Sequence, residues 1–378
     1  MSRRHHQFIQ TCLNLILLAT VLTVVGSGQP NQPPQLVSRE PLFGRPEILL
    51  EESLRIGPQS SPPKSDFINI LAISIDAKGK LYILEKKRVS KWDASGQYEC
   101  AFGSFGQGPG EFMSLEGLFI HEDGRIFLND QGRALVVFME DGSFLQRISL
   151  SQHLASDFFV DGQDNIFGLL IQFSPEAMHG QLAKLDPKGN LISIFSGESP
   201  PNLLGKSGVM GGLIHSFSPR PYICRVLDGI CFGYNMEYSL RIFDSDGKLM
   251  RHFYKEEKTQ SPDKDIAAAE VAWGNDYVRK NVVFPKHRPF FQGLISDERG
   301  RIFVLRTRPF VTKDKRQDVD IYDKCGNFLY QITLPYRPSI IRNGAMYVID
   351  KDAEGWSLVR RIEIKNINQL HVSAPGCR

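Results

Sequence analysis

One unit recurs along this chain: a short apolar strand, a glycine-containing turn, and a second apolar strand rich in aromatic and β-branched residues. The clearest copies run from Ile73 to Leu84, turning at Asp76-Ala77-Lys78-Gly79, and from Leu118 to Leu128, turning at Glu122-Asp123-Gly124. The same shape returns from Phe158 to Leu169, from Ile223 to Tyr234 around Asp228-Gly229, from Leu294 to Leu305 around Gly300, and from Ile340 to Ile349 around Asn343-Gly344. Asp, Asn and Gly supply the positive φ that tight hairpins need. A second hairpin follows five of the six, turning at Asp93 to Gly96, Glu140 to Gly142, Asp186 to Gly189, Asp244 to Gly247 and Asp323 to Gly326. Two hairpins per unit make a four-stranded blade, and blades repeated along a chain close into a propeller. The last unit lacks its fourth strand, while the apolar segment Ile48 to Ile56 precedes the first blade without a hairpin partner. The economical arrangement makes that segment the outer strand of blade six. The expected fold is therefore all-β: a six-bladed β-propeller of four-stranded antiparallel blades, closed by an N-terminal strand, so that no sheet edge is left at the join.

The flanking segments set the address. Arg3 and Arg4 precede the apolar run Leu13 to Val25, and small residues follow at Gly26, Ser27 and Gly28, so residues 1–28 read as an export signal. As a helix that run rises only about 20 Å, short of the roughly 30 Å hydrocarbon core. No other segment is apolar enough to span a membrane, so an exported protein, periplasmic or extracellular, is expected, without an integral membrane domain after cleavage. Residues 29–46, with Pro30, Pro33, Pro34, Pro41 and Pro46, read as a linker, residues 47–366 as the propeller, and residues 367–378 as a tail. The formal net charge is only +3, and Arg3 and Arg4 belong to the signal. The remainder is close to neutral, which excludes nucleic acid as a partner.

Of six cysteines, Cys12 leaves with the signal, and Cys100, Cys224, Cys231, Cys325 and Cys377 remain. An odd, sparse set in a long chain reads as buried free thiols rather than a disulfide framework. Cys224 and Cys231 flank the Asp228-Gly229 turn and are expected to lie diagonally across it, too far apart for an unstrained bridge. The absence of any Cys-x-x-Cys excludes zinc ribbons and thioredoxin-like chemistry.

The stretch Ala101-Phe102-Gly103-Ser104-Phe105-Gly106-Gln107-Gly108-Pro109-Gly110-Glu111-Phe112 resembles the linker between NHL-type repeats, and Gly117 to Ile126 fits the strand and turn that follow it. From about residue 47 to 366 the chain resembles the bacterial exported six-bladed β-propellers related to NHL repeats. The resemblance implies the fold; propellers host too many functions for it to imply more.

Tight turns join strands one to two and three to four of each blade, at one end of the ring. The long excursions, residues 172–180, 196–220, 256–289 and 306–318, all fall at the other end, and their segregation marks that end as a working surface. Within 256–289, Ser261 can cap a helix, Pro262 suits its first position, and Asp263 and Asp265 favour its positive end. Ile266, Ala269, Trp273 and Tyr277 would share one face, with Gly274 able to end the helix early. The starts of the inner strands place Asn69, Glu116, Asp157, Tyr222, Gln292 and Arg337 near the channel mouth, and His215 and His287 lie in the excursions. Asn69, Glu116 and Asp157 could offer oxygens to a calcium-like ion. Lys313, Lys315 and Arg316, with Arg306 and Arg308, are either a solvated loop or an anion-binding patch.

The expected function is non-catalytic binding of a partner protein, peptide or envelope glycan through the long-loop face, with no cofactor. Candidate ligand-binding residues are Glu116, Asp157, His215, His287, Gln292 and Arg337. The alternative is a propeller hydrolase or lyase using a channel metal, Ca2+ on Asn69, Glu116 and Asp157.

Overall fold

The computed structural model describes residues 35–57, 67, 69–173, 177–195, 202–203, 219–227, 229–281, 284–309, 312 and 314–377; the expected export signal lies outside them. Six antiparallel sheets follow one another in a ring. From inner to outer strand, blade one is Ile70–Ile75, Leu81–Glu85, Arg88–Trp92 and Tyr98–Phe102, and blade two is Leu115–Ile120, Ile126–Asp130, Ala134–Phe138 and Phe144–Ser149. Blade three is Leu154–Val160, Ile166–Phe173, Ala177–Leu185 and Leu191–Ile194; blade four is Pro221–Val226, Gly229–Tyr234, Ser239–Phe243 and Leu249–Lys255. Blade five is Phe291–Ser296, Ile302–Arg306, Gln317–Tyr322 and Phe328–Leu334. Blade six takes its inner three strands from Ile340–Arg342, Ala345–Lys351 and Ser357–Ile364, and its outer strand from Leu50–Ile56. Leu50 lies opposite Ile364 and Ile56 opposite Val359, so the N-terminal closure read from the sequence is the one observed.

Burial follows position in the blade. Every residue of Leu81–Glu85, Ile126–Asp130 and Ala134–Phe138 is buried, because a middle strand is covered by a neighbouring blade on each face. On the outer strand Phe144–Ser149 only Ile148 is buried. The cores lie between blades: Tyr82, Leu84 and Val89 of blade one meet Ile126, Leu128 and Val136 of blade two. The ring is completed where Ile73, Ile83 and Trp92 of blade one meet Ala345, Tyr347 and Val359 of blade six. Arg342 Nη1 also donates to the Ile75 carbonyl across that join, at 3.0 Å.

The turns explain why aspartate recurs. In the first hairpin, Asp76 Oδ1 accepts the N–H groups of Lys78 (2.9 Å) and Lys80 (2.8 Å), the next orphan donors of the turn. The same carboxylate device recurs at Asp93, Asp161, Asp186, Asp244, Asp297, Asp323 and Asp352. Tight turns also occur outside the expected segregation. Lys86-Lys87, Gln131-Gly132, Asn235 to Tyr238 and Asp352 to Gly355 join second to third strands and so lie at the long-loop end.

Residues 35–46, expected as linker, are laid along the rim of the ring. Gln35–Ser38 pairs in parallel with Leu249–Lys255 as a fifth strand on blade four. The N–H groups of Leu42 and Phe43 then donate to the carbonyls of Phe328 (2.9 Å) and Leu329 (3.0 Å) on the outer strand of blade five. The tail closes over this strap: His371 stacks on Phe43 with ring centroids 3.9 Å apart, and Ala374 N–H donates to Asp323 Oδ2 at 2.9 Å.

The expectation of free thiols fails at one pair. Cys325, in the outer turn of blade five, is disulfide-bonded to Cys377, 52 residues away. Cys100, Cys224 and Cys231 are free, and Cys224 lies directly opposite Cys231 rather than diagonally. In the chain-entropy picture a bridge of this span restricts the unfolded chain by about 4 kcal/mol. With roughly 2 cal/mol/K per residue of unfolding entropy, that is a shift on the order of 6 °C. Replacing both Cys325 and Cys377 by Ser is expected to lower the melting temperature by that amount, and a reductant should reproduce the drop in the native protein but not in the variant. Identical melting of the two proteins, with and without reductant, would refute a stabilising bridge.

The helical insertion consists of α1 (Asp263–Trp273) and α2 (Asn275–Asn281). Ser261 Oγ accepts the Asp263 N–H at 3.3 Å, while Pro262 stands one place earlier than expected, at the cap. Gly274, at φ 88°, ends α1 and turns the chain, leaving Tyr277 exposed. Val278 takes its place and packs with Ala269, Trp273 and Phe284. The apolar stripe is thus closed by the second helix and Phe284 in the segment after it.

Candidate functional site

The inner strands do not enter the ring smoothly. In blade two, Leu115 pairs with Asp130 and Gly117 with Asn129, so Glu116 is an extra, bulged residue. In blade five, Phe291 pairs with Arg306 and Gly293 with Leu305, which bulges Gln292. In blade three the register jumps between Leu154 and Phe158, a wider bulge that contains Asp157. A bulge re-aims a side chain out of the ladder. Gly117 shows how near the inner strands of blades two and three come: a Cβ there would lie 2.3 Å from the Ser156 carbonyl oxygen. Glu116 and Asp157 flank this approach.

The same register places an apolar residue in blade one. There Ile70 pairs with Glu85 and Ala72 with Leu84, so the bulged residue is Leu71, 45% exposed, and Asn69 lies before the strand. Gln292 is buried, and its side-chain amide donates to Gln317 Oε1 at 3.0 Å. Its backbone carbonyl accepts Arg337 Nη2 at 2.8 Å, so blade five contributes to the mouth through the main chain. His287 packs on Phe290, with ring centroids 5.6 Å apart. His215 lies outside the described residues.

What gathers at the mouth is a set of arginines. Arg220, just before the inner strand of blade four, donates from Nε to the Tyr222 hydroxyl at 2.7 Å and lies over its ring, 4.6 Å from the centroid. Arg337, before the inner strand of blade six, is within electrostatic reach of Arg220, Arg308, Tyr222 and Asp157. Arg337 is exposed, but the protein crowded around it, together with Arg220 and Arg308, holds its guanidinium below the ordinary value, against the opposite pull of Tyr222 and Asp157. Asp157 is exposed but surrounded by protein, which pushes its carboxyl up against the pull of Arg220 and Arg337. Glu116 is pushed up too, by packing and by Asp130. Among the described residues, none of Arg220, Arg308 and Arg337 forms a salt bridge.

The residues do not fit a calcium ion. Calcium needs six or more oxygens, several of them charged. Leu71 interrupts the ring of donors in blade one, and guanidinium groups face the Asp157 carboxylate. Among the described residues, the one set of three potential ligand side chains within 4.8 Å is Asp323, Cys325 and Cys377, and its two sulfurs are already bonded to each other.

The basic cluster expected around 306–316 divides into separate partnerships. Lys315 pairs with Asp350 at 2.6 Å and Arg316 with Asp314 at 2.7 Å, while Lys313 lies outside the described residues. Arg306 belongs to a buried network behind the mouth. Asp320, at 0% exposure on the third strand of blade five, accepts Lys255 Nζ (2.8 Å) and Arg306 Nη1 (3.0 Å) at one oxygen and Gln331 Nε2 (2.9 Å) at the other. The Tyr238 hydroxyl also donates to it, and Arg306 continues to Glu257 at the root of the helical insertion. Burial pushes the Asp320 carboxyl up, but Arg306 and Lys255 prevail and hold it below the ordinary carboxylate range. Arg308, two residues beyond Arg306, is the member of the cluster that reaches the channel.

The molecule is a six-bladed β-propeller of mostly four-stranded antiparallel sheets, with a polar, arginine-rich channel mouth at the end that carries the insertions. A family profile described as DUF5128, 6-bladed beta-propeller, matches residues 66–198. No curated protein matches the chain in sequence. Among solved structures, a protein of Bacteroides fragilis described as exported is similar over 85% of this chain and 99% of its own, at 15% identity and a TM-score of 0.54. A DUF4221 family member from Bacteroides vulgatus is similar over 84% of this chain and 98% of its own, at 11% identity and a TM-score of 0.54. At such identities the likeness is one of fold. Among the described residues, no helix is long and apolar enough to cross a membrane.

Proposed function

We propose that this is an exported, non-catalytic binding propeller that holds a partner protein, peptide or envelope glycan on the end of the ring carrying the long connections. The observation that carries the reading is the coincidence, at one end, of the insertions with the inner-strand bulges and convergent polar side chains of the channel mouth. Rigid strands position the mouth, and the longer segments enlarge the area around it, a common division of labour in binding sites. The apolar leader and the exported relative in Bacteroides fragilis support an envelope address.

The test is retention of envelope fractions on immobilised protein. Protein, peptide and polysaccharide fractions of a Bacteroides envelope would be passed over the native chain and over a variant in which residues 256–289 are replaced by a short Gly-Ser connection. One fraction should be retained by the native chain and lost by the variant. Retention of no fraction, or equal retention by both proteins, would overturn the proposal.

A further inference from the structure

The channel mouth carries a charge imbalance that the fold does not require. Several arginines elsewhere in the ring are neutralised locally: Arg301 by Asp297 (2.7 Å), Arg125 by Asp123 (2.7 Å), and Arg360 by Glu52 (2.6 Å) and Asp350 (3.0 Å). At the mouth, Arg220 lies over Tyr222, whose ring meets Phe291 with centroids 5.8 Å apart, and Arg337 bonds to the carbonyl of the next residue, Gln292. Arg308, from the connection between the second and third strands of blade five, acts on Arg337 together with Arg220, and Asp157 acts on it with the opposite sign. Their fixed bonds go to neutral acceptors: Arg220 to the Tyr222 hydroxyl, and Arg337 to the Gln292 carbonyl. Each bond holds one edge of its guanidinium group and fixes its plane. The remaining N–H donors are left for something else, and planar forks of this kind match the paired oxygens of an oxyanion. Like charges crowded in a protein wall repel one another. An arrangement that sets three arginines against the single carboxylate of Asp157 is relieved by an anionic ligand.

We infer that the channel mouth is an oxyanion site, in which Arg220, Arg308 and Arg337 together bind a carboxylate, sulfate or phosphate group presented by the ligand. The inference rests on the binding function proposed above and names the chemistry by which the ligand is recognised. Asp157, which acts on Arg220 and Arg337 from blade three, offsets part of the charge that the ligand must meet. Removing it should tighten anion binding, because its negative charge then no longer opposes the ligand's.

The experiment is calorimetric titration and thermal melting of the full protein with sodium glucuronate, glucose 6-phosphate and glucose, at constant ionic strength in chloride. The two anionic sugars should bind and raise the melting temperature, glucose should do neither, and the stronger of the two anions identifies carboxylate or phosphate as the preferred group. Arg337→Gln should weaken anion binding about tenfold or more, the loss expected for one charged hydrogen-bonding partner. Asp157→Asn should strengthen it. Arg39→Gln, which removes an exposed rim contact to Glu256, should leave it unchanged. Arg308→Gln provides the same test if Arg337→Gln fails to fold, since Arg308 acts on Arg337 while the bond from Arg337 to the Gln292 carbonyl is left in place. Glucuronate and glucose 6-phosphate behaving like glucose, or binding equally to native and arginine-substituted proteins, would overturn the oxyanion site. Envelope retention separates this inference from the broader reading. Native retention that persists in Arg337→Gln overturns the oxyanion site alone. Anion binding without any envelope retention overturns the broader function alone.

Discussion

Asp320→Ala is expected to destabilise the protein by about 3–5 kcal/mol, the cost of breaking a buried ion pair and stranding its partners. With roughly 2 cal/mol/K of unfolding entropy per residue over the ordered ring, the melting temperature should fall by on the order of 5–8 °C. The reason is geometric. Lys255 and Arg306 are held against Asp320 from two different blades, and the Tyr238 hydroxyl has turned inward to the same oxygen. Without the carboxylate, the two cations share the one remaining carboxylate, Glu257, at the edge of the network. Asp320→Asn keeps the shape and the Gln331 bond but not the charge, so it should fall between native and Ala. The acid limb gives an independent reading. Because the folded carboxyl is held below its ordinary range, its stabilisation is complete above the unfolded-state value and is lost as pH falls through the folded one. As pH falls below the ordinary aspartate value of about 4, the native protein should therefore lose stability more steeply than Asp320→Asn. Equal melting of native and Ala proteins at neutral pH would show that the network contributes nothing net.

Removing residues up to Ile56 is expected to abolish the soluble monomer. The deletion takes away the outer strand of blade six and uncovers Val359, Ile362 and Ile364. It also leaves the last ladder of Ser357–Ile364 unpaired, an apolar edge of the kind that recruits other chains. Ile56, nearly fully buried, contributes about 1.5–3 kcal/mol by itself, before the strand's hydrogen bonds are counted. Size-exclusion chromatography should find aggregate in place of monomer. A synthetic peptide spanning residues 47–57, added during refolding, should restore monomer by supplying the strand in trans. A truncated chain that stays monomeric and melts like the native protein would refute closure by this strand.

The parts of this architecture that were legible in the sequence are those written locally. Asp76-Ala77-Lys78-Gly79 announces a turn because its carboxylate, its glycine and its flanking apolar strands lie within a dozen residues, and each later copy repeats the same chemistry. The ring closure was legible by subtraction, since Ile48 to Ile56 had no hairpin partner and the last blade had no outer strand. Gly274 marked the break between the two helices because a positive φ is a property of the residue itself. The strap over blades four and five was not legible: Leu42 and Phe43 pair through main-chain atoms, which every sequence possesses. Nor was the Cys325–Cys377 bridge, which joins a turn to the tail across 52 residues and was hidden by an odd cysteine count. At the channel mouth, counting from strand starts placed Asn69 where the bulge presents Leu71, because an inserted residue shifts the register without altering the apolar pattern. Arg220 escaped notice, and Arg308 was read only with the basic cluster of its loop, for a different reason. They come from separate connections, and only the curvature of the ring brings them toward Arg337.

Blade six has a consequence for how the molecule reaches its native state. Its outer strand, Leu50–Ile56, must wait for Ser357–Ile364, about three hundred residues later in the chain. Hairpins of blades one to five can form from neighbouring residues on a microsecond scale, whereas this final pairing carries nearly the whole chain as its loop. The slowest step in folding should therefore be the meeting of the two ends of the ring. Until it happens, every completed blade belongs to an open arc whose first and last faces are still apolar. A chain crossing a membrane in an extended form would meet this step only on the far side, and its yield there would depend on how long the arc can remain open without finding another copy of itself.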